Sequence, residues 1–285
     1  MIIQSKKIRA LVANLLPKIC KEAIKFFYWK ITNNYLTNKV LGSREKYLQI
    51  FTDAKQETFI YVDNYIQKNN FKNIDTDFLN DLALTTQISI KKNKINYQHG
   101  KIIYALVYDY ILRTKNITPQ YNFIDIGTAK GFSSIIIAKA CIDNVVNFKI
   151  QTYDIIPNDV KMYWNSIEDI DGKKTRPQLL NNFKKYLKNI NYFSGKTKDT
   201  LKLDDNKRIN FAFIDGSHDY EDVLFEYQFV QERQKKGDII MFDDVTEGYF
   251  NGIVKLMYEL RKINDYKIEF LTSSKERGYA IAVKK

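Results

Sequence analysis

Short apolar runs recur along the second half of the chain, at Phe123–Ile126, Phe148–Tyr153, Asn191–Phe193, Ile209–Ile214, Ile239–Phe242, Ile268–Leu271 and Tyr279–Val283. Each is too short for a buried helix, and most are separated by helix-length segments, so they read as strands. Strands alternating with helices predict an α/β fold, a doubly wound and mainly parallel seven-stranded sheet covered on both faces. A helix over Lys101–Leu112 leads into the first strand. Before it the pattern changes to helical spacing, as in Ile8, Leu11, Val12, Leu15, Leu16 and Ile19, with Pro17 marking a break. The expected organisation is an N-terminal, mainly helical extension over 1–97 and an α/β domain over 98–285. Within the domain, 155–178 carries Trp164, Asp171, Gly172 and Pro177 and reads as an insertion or lid.

Composition narrows the setting. The 285 residues are 45% hydrophobic and 27% charged, which suits one α/β domain plus an extra element. Cys20 and Cys141 form no CxxC pair, which argues against a disulfide framework or thiolate metal site and for a reducing cytoplasm. No stretch approaches the ~18 apolar residues of a membrane span. The formal charge is +12, and residues 1–50 hold ten Lys or Arg against two acids. With Phe26, Phe27, Tyr28, Trp29 and Tyr35 interleaved, this basic segment suits packing on the domain or a partner subunit, an anionic membrane face, or nucleic acid. Homo-oligomerisation stays open.

The segment YNFIDIGTAKGFSSIIIAKA reads as strand, glycine turn and helix, and in an open α/β sheet such a turn lies at the edge where ligands bind. Gly127 and Gly131 let the backbone approach a ligand, and Ser133 and Ser134 bring hydroxyls to the helix start. Ala129 stands where a dinucleotide fingerprint would have its middle glycine. Asp125 places at the turn a carboxylate that disfavours a pyrophosphate and suits an ammonium or sulfonium. Asp154, 27 residues after Gly127, ends the next strand and can accept from ribose hydroxyls.

Taken together, DIGTAKGFS, TYDIIP, SGKTKDTL, FAFIDGSHDYEDV and GDIIMFDDV resemble, in order and spacing, the class I S-adenosylmethionine-dependent methyltransferases. The closer likeness is to small-molecule O-methyltransferases of the catechol and macrocin type and to bacterial enzymes with a DGSHxYE motif. It covers roughly 98–285. The resemblance implies a Rossmann-like methyltransferase fold with S-adenosyl-L-methionine as cofactor. Asp125, Gly127 and Gly131 would frame its methionine end and Asp154 its ribose, with Thr197, Lys198 and Asp199 beside adenine.

Asp215 closes one apolar run, and Asp243 and Asp244 close the next. If the two strands are neighbours, three carboxylates meet at one sheet edge and repel unless one stays protonated, a basic residue intervenes, or a cation binds. Oxygen ligands favour Mg²⁺. In the resembling metal-dependent enzymes an aspartate after one strand and an Asp-Asp or Asp-Asn pair after the next hold the cation, which makes Asp215, Asp243 and Asp244 the expected metal ligands. Asp215 can alternatively contact the cofactor. His218, three residues after Asp215, is the expected general base for an acceptor hydroxyl. His99 is a second histidine within reach of cofactor or acceptor. Tyr163, Trp164, Lys173, Lys174 and Arg176 in the insertion suit a sugar ring and an anionic carrier, so the expected acceptor is a glycan, glycosylated metabolite or other small molecule. The rival readings are an NAD-linked oxidoreductase, and a nucleic-acid-binding protein or RNA methyltransferase.

Overall fold

The computed structural model describes residues 37–92, 94–272 and 277–285. The basic segment before residue 37, with Ile8–Ile19 and the aromatics at 26–35, lies outside them.

Seven strands form one sheet: β1 (Tyr121–Ile126), β2 (Phe148–Asp154), β3 (Ile190–Ser194), β4 (Phe211–Ile214), β5 (Ile239–Phe242), β6 (Tyr266–Leu271) and β7 (Tyr279–Lys284). Their spatial order is β3-β2-β1-β4-β5-β7-β6. β1 to β5 are mutually parallel, whereas β7 runs antiparallel to both β5 and β6. Every apolar run read as a strand is one, with ends shifted by a residue or two. All four residues of β4 and of β5 are buried, as a central strand covered on both faces requires. The order reverses between β1 and β4, so the crevice at their carboxyl ends is where a ligand of an open α/β sheet binds.

The principal helices are α1 (Arg44–Gln56), α2 (Ile60–Lys68), α3 (Thr76–Thr86), α4 (His99–Thr114), α5 (Phe132–Asp143), α6 (Tyr220–Gln231) and α7 (Asn251–Ile263). In α7 the buried residues Ile253, Leu256, Met257 and Leu260 follow the three- and four-residue spacing that aligns one helix face with the sheet. α6 and α7 cover one side of the sheet with a core that includes Val223, Tyr227 and Leu256. α4 and α5 cover the other, and Val62, Ile66, Leu79 and Leu82 of α2 and α3 belong to that same core. The described part of the N-terminal extension is thus packed onto the α/β domain.

Candidate active site

The turn after β1 is built by conformations that few residues tolerate. Gly127 has φ +95°, and a β-carbon there would lie 2.1 Å from the carbonyl oxygen of Asp215. Gly131, at φ +94°, is the N-cap of α5. Ala129 also has positive φ, +45°. Asp154 holds this conformation: its Oδ2 accepts from the Ala129 amide at 2.5 Å and its Oδ1 from the Ile156 amide at 2.8 Å. Each carboxylate oxygen carries a second lone pair, so Asp154 can still receive a ribose hydroxyl.

Asp125 plays a different part from the one expected of it. Fully buried, it accepts from Ser133 Oγ at 2.8 and 2.9 Å, from Thr152 Oγ1 at 3.0 Å and from Ser134 Oγ. The hydroxyls expected to face a ligand instead satisfy the hydrogen bonding of a buried carboxylate and clamp α5 to the sheet. Thr197 likewise donates to Glu226 Oε1 at 2.8 Å, and Lys198 pairs with Asp222 at 2.6 Å on the surface. Glu226 is buried, with Oε2 unpartnered among the described residues, and burial pushes its carboxyl up to about 8.

β4 and β5 are neighbours, as the acidic strand ends required. The convergence point of their carboxylates holds the guanidinium of Arg277, whose Nε lies 2.6 Å from Asp243 Oδ1 and 2.9 Å from Asp244 Oδ1, with Nη2 3.1 Å from Asp215 Oδ2. The cause is the antiparallel return strand. β7 begins at the edge where β5 ends, and the Val245 amide donates to Gly278 O at 2.9 Å, fixing Arg277 beside the acids. A β-carbon on Gly278 would come 2.1 Å from Val245 O, so glycine is needed for that approach.

The expected ligand set of Asp215, Asp243 and Asp244 is therefore corrected. Asp243 is fully buried, accepts from Arg277 and from the Asp244 amide at 2.6 Å, and is held well above the usual carboxylate range by burial. Among the described residues, those whose ligating atoms come within 4.8 Å of one another are Asp215, His218 and Asp244. An ion there would share two carboxylates with a guanidinium and take the imidazole as ligand, so these residues do not fit the three-carboxylate cation site.

His218 sits in the loop before α6, edge-on to Phe250 with ring centroids 4.3 Å apart. Its Nε2 is 3.0 Å from Asp244 Oδ2. Gly252 allows this: a β-carbon there would meet His218 O at 2.3 Å. His99 is buried between Phe132 and Phe213, at centroid distances of 4.9 and 6.1 Å. Its Nδ1 has no partner among the described residues, and burial lowers its pKa well below the ordinary value. His99 lines a pocket with Gly127, Ala129, Phe132, Asp215 and Arg277, whose far wall is Thr86, Gln87, Ser89 and Lys91. That wall comes from the extension, where the sequence offered no catalytic motif.

Of the side chains expected to face an acceptor from 155–178, Trp164 and Arg176 turn inward, whereas Lys173 is exposed and Tyr163 and Lys174 are partly so. Trp164 is buried and donates from Nε1 to Lys174 O at 2.7 Å. Arg176 is buried and donates to Ala129 O at 2.9 Å and to Ile156 O at 3.2 Å. Lys174 pairs with Glu168, and Lys173 lies over the Tyr163 ring. Trp164 and Arg176 are thus engaged within the segment and with the glycine turn. Sequence reading also missed Lys130. It is buried in the glycine turn, donates to Ser89 Oγ at 2.7 Å and Asn165 O at 2.9 Å, and is pushed down to about 7 by burial.

Residues 124–245, which hold the glycine turn, Asp154, Asp215, His218 and the Asp243–Asp244 pair, match a family model described as a methyltransferase domain. The chain carries a methyltransferase domain. Its fold is similar to that of an O-methyltransferase from Bacillus cereus solved with SAH, at 17% identity and TM-score 0.51, covering 83% of this chain and 96% of that one. TomG, an O-methyltransferase from Streptomyces achromogenes involved in tomaymycin synthesis and solved with SAM, superposes with TM-score 0.53 at 14% identity, over 77% and 94% of the two chains. Cofactor-bound Rv0187 from MTB gives TM-score 0.52 at 16% identity, over 80% and 99%. The search of curated proteins returned no match. Among the described residues of this methyltransferase, no helix is long and apolar enough to cross a membrane.

Proposed function

We propose that this domain transfers the methyl group of S-adenosyl-L-methionine to a hydroxyl oxygen of a small molecule, with His218 as general base. The observation that carries the reading is the His218–Asp244 contact of 3.0 Å at the switch-point edge, with the cofactor turn framing the neighbouring crevice. Asp244 orients the imidazole and stabilises the imidazolium that forms as the acceptor proton leaves. Its own burial raises the Asp244 carboxyl, but the Arg277 charge and the His218 contact outweigh that and keep it below the usual carboxylate range, so it stays ionised for that role. Asp154 supports the ribose, and the glycine turn leaves room for the amino-acid end of the cofactor. His99, neutral and with Nδ1 unpartnered among the described residues, offers a hydrogen bond to whatever fills the pocket. When bound, the cofactor supplies an electrophilic methyl on a sulfonium. The protein's contribution is alignment and removal of one proton. No step is assigned to Mg²⁺, because Arg277 already holds the carboxylates expected to bind it.

The acceptor class follows from the pocket wall. Thr86, Gln87, Ser89 and Lys91 suit a hydroxylated acceptor bearing hydrogen-bonding groups. The test has two stages. Calorimetry with S-adenosylhomocysteine and with NAD identifies the cofactor, and NAD binding without S-adenosylhomocysteine binding refutes the reading. Mass spectrometry then screens hydroxylated compounds, glycans and RNA for the gain of one CH₂ unit.

A further inference from the structure

We infer that Arg277 is the resident cation of the acceptor edge, so that this methyltransferase holds its aspartates in working order with a guanidinium and without a divalent metal ion. The inference rests on the proposed function for its catalytic meaning, and on three contacts for its substance. One planar group touches a carboxylate oxygen of Asp215, of Asp243 and of Asp244 at 3.1, 2.6 and 2.9 Å. The Arg277 carbonyl accepts from Tyr61 Oη at 2.7 Å, and the Gly278 amide of the same peptide unit donates to Thr246 Oγ1 at 2.9 Å, so the backbone that leads from Arg277 into β7 is tied down.

The charge inventory points the same way. Lys91 lines the same pocket and lies close enough for the charges of Asp244 and Asp215 to act on its ammonium. Arg277 and Lys91 thus both face the acidic edge, with His218 3.0 Å from Asp244. An added dication would have to share oxygens with a guanidinium and be repelled by it, a cost that grows as water is excluded. Arginine also offers what a metal would have offered here, a fixed geometry: its fork binds two oxygens at once and cannot lose its charge. Asp244, pinned on one oxygen by Arg277, presents the other to His218. Arg277 is thus a positioning residue, acting on the acceptor through Asp244 and His218.

The test is Mn²⁺ binding, followed by electron paramagnetic resonance on the full-length, metal-stripped protein, with Asp215→Asn in parallel. The expected result is no difference between wild type and Asp215→Asn. A stoichiometric Mn²⁺ site in wild type that is lost in Asp215→Asn overturns the inference. Arg277→Met should then acquire such a site, with affinity on the order of 100-fold above wild type, and lose it again when Asp215→Asn is added. A folded Arg277→Met chain that gains none also overturns it. Arg277→Lys, which keeps the charge, should stay silent, and should Arg277→Met not fold, the comparison of wild type with Asp215→Asn decides alone. Calorimetry with S-adenosylhomocysteine on the same preparation keeps the two readings apart, because loss of cofactor binding would refute methyl transfer whatever Mn²⁺ does.

Discussion

A β-carbon at Gly127 would overlap the Asp215 carbonyl at 2.1 Å, and the backbone there has φ +95°, so even alanine must displace the loop that carries His218. Gly127→Ala should therefore weaken S-adenosylhomocysteine binding and turnover together. Asp154→Ala should act on cofactor affinity alone, by about tenfold for one lost charge-assisted hydrogen bond, although the freed Ala129 amide adds some loosening of the turn. Equal affinity of Asp154→Ala and wild type in calorimetry would remove the ribose assignment. His218→Ala should lower turnover by ~10² to 10⁴ while leaving S-adenosylhomocysteine affinity unchanged, and a fully active variant would remove the base. At this scale the sequence announced residues whose chemistry is tied to a strand end. It did not announce what each contacts. Asp125 was read as facing a ligand, because nothing in DIGTAKGFSS says that two serines fold back on it across the first turn of α5. Arg277 went unread for a related reason: its place follows only from knowing that the last strand runs backwards, which puts the residue before it at the carboxyl edge of β5.

Among the elements, α6 carries an acid whose titration should be measurable. Glu226 is buried beneath the loop of Gly216, accepts from Thr197, and has a carboxyl raised to about 8 from an ordinary 4.5. Between those two values the folded chain keeps a proton that the unfolded chain releases. Its contribution to stability is thus fully present below pH 4.5 and is lost as pH rises through 8, with a slope of at most about 1.4 kcal/mol per pH unit. Glu226→Gln cannot titrate, so urea midpoints measured from pH 5 to 8 should fall for wild type relative to this variant. Parallel profiles would show that Glu226 is ionised when buried. Lys130 works in the opposite sense. Its pKa is lowered to about 7, so its contribution is present at high pH and lost as pH falls through 7, which is why the comparison with Glu226→Gln is needed. The strands were legible because each is a short apolar run bounded by turn residues. The extension's role was not, since α3 and the Ser89–Lys91 stretch carry no motif and reach the pocket only by packing.

Over the whole molecule, the described part of the extension and the α/β domain share a core, with Leu79 of α3 buried close to Gly100 and Val62 of α2 buried in the same cluster. Leu79→Ala should cost about 2–5 kcal/mol, and should lower the stability of both parts at once. The check is a urea titration followed by circular dichroism and tryptophan fluorescence. Coincident transitions are expected, and two separated transitions would show that the extension unfolds separately.

Lys130 belongs to the glycine turn, yet its side chain is spent on Ser89 of the pocket wall and on Asn165 of the 155–178 segment, while Arg176 of that segment returns to the carbonyl of Ala129 in the same turn. Parts that a protein engineer would like to exchange one at a time are thereby wired to a single four-residue bend. Grafting a foreign acceptor wall onto this chain should perturb cofactor affinity as well as acceptor choice. A graft that retains Ser89 and Asn165 should spare the cofactor. New acceptor preference is therefore best sought by changing side chains at Thr86, Gln87 and Lys91, which lie on the wall and outside that wiring.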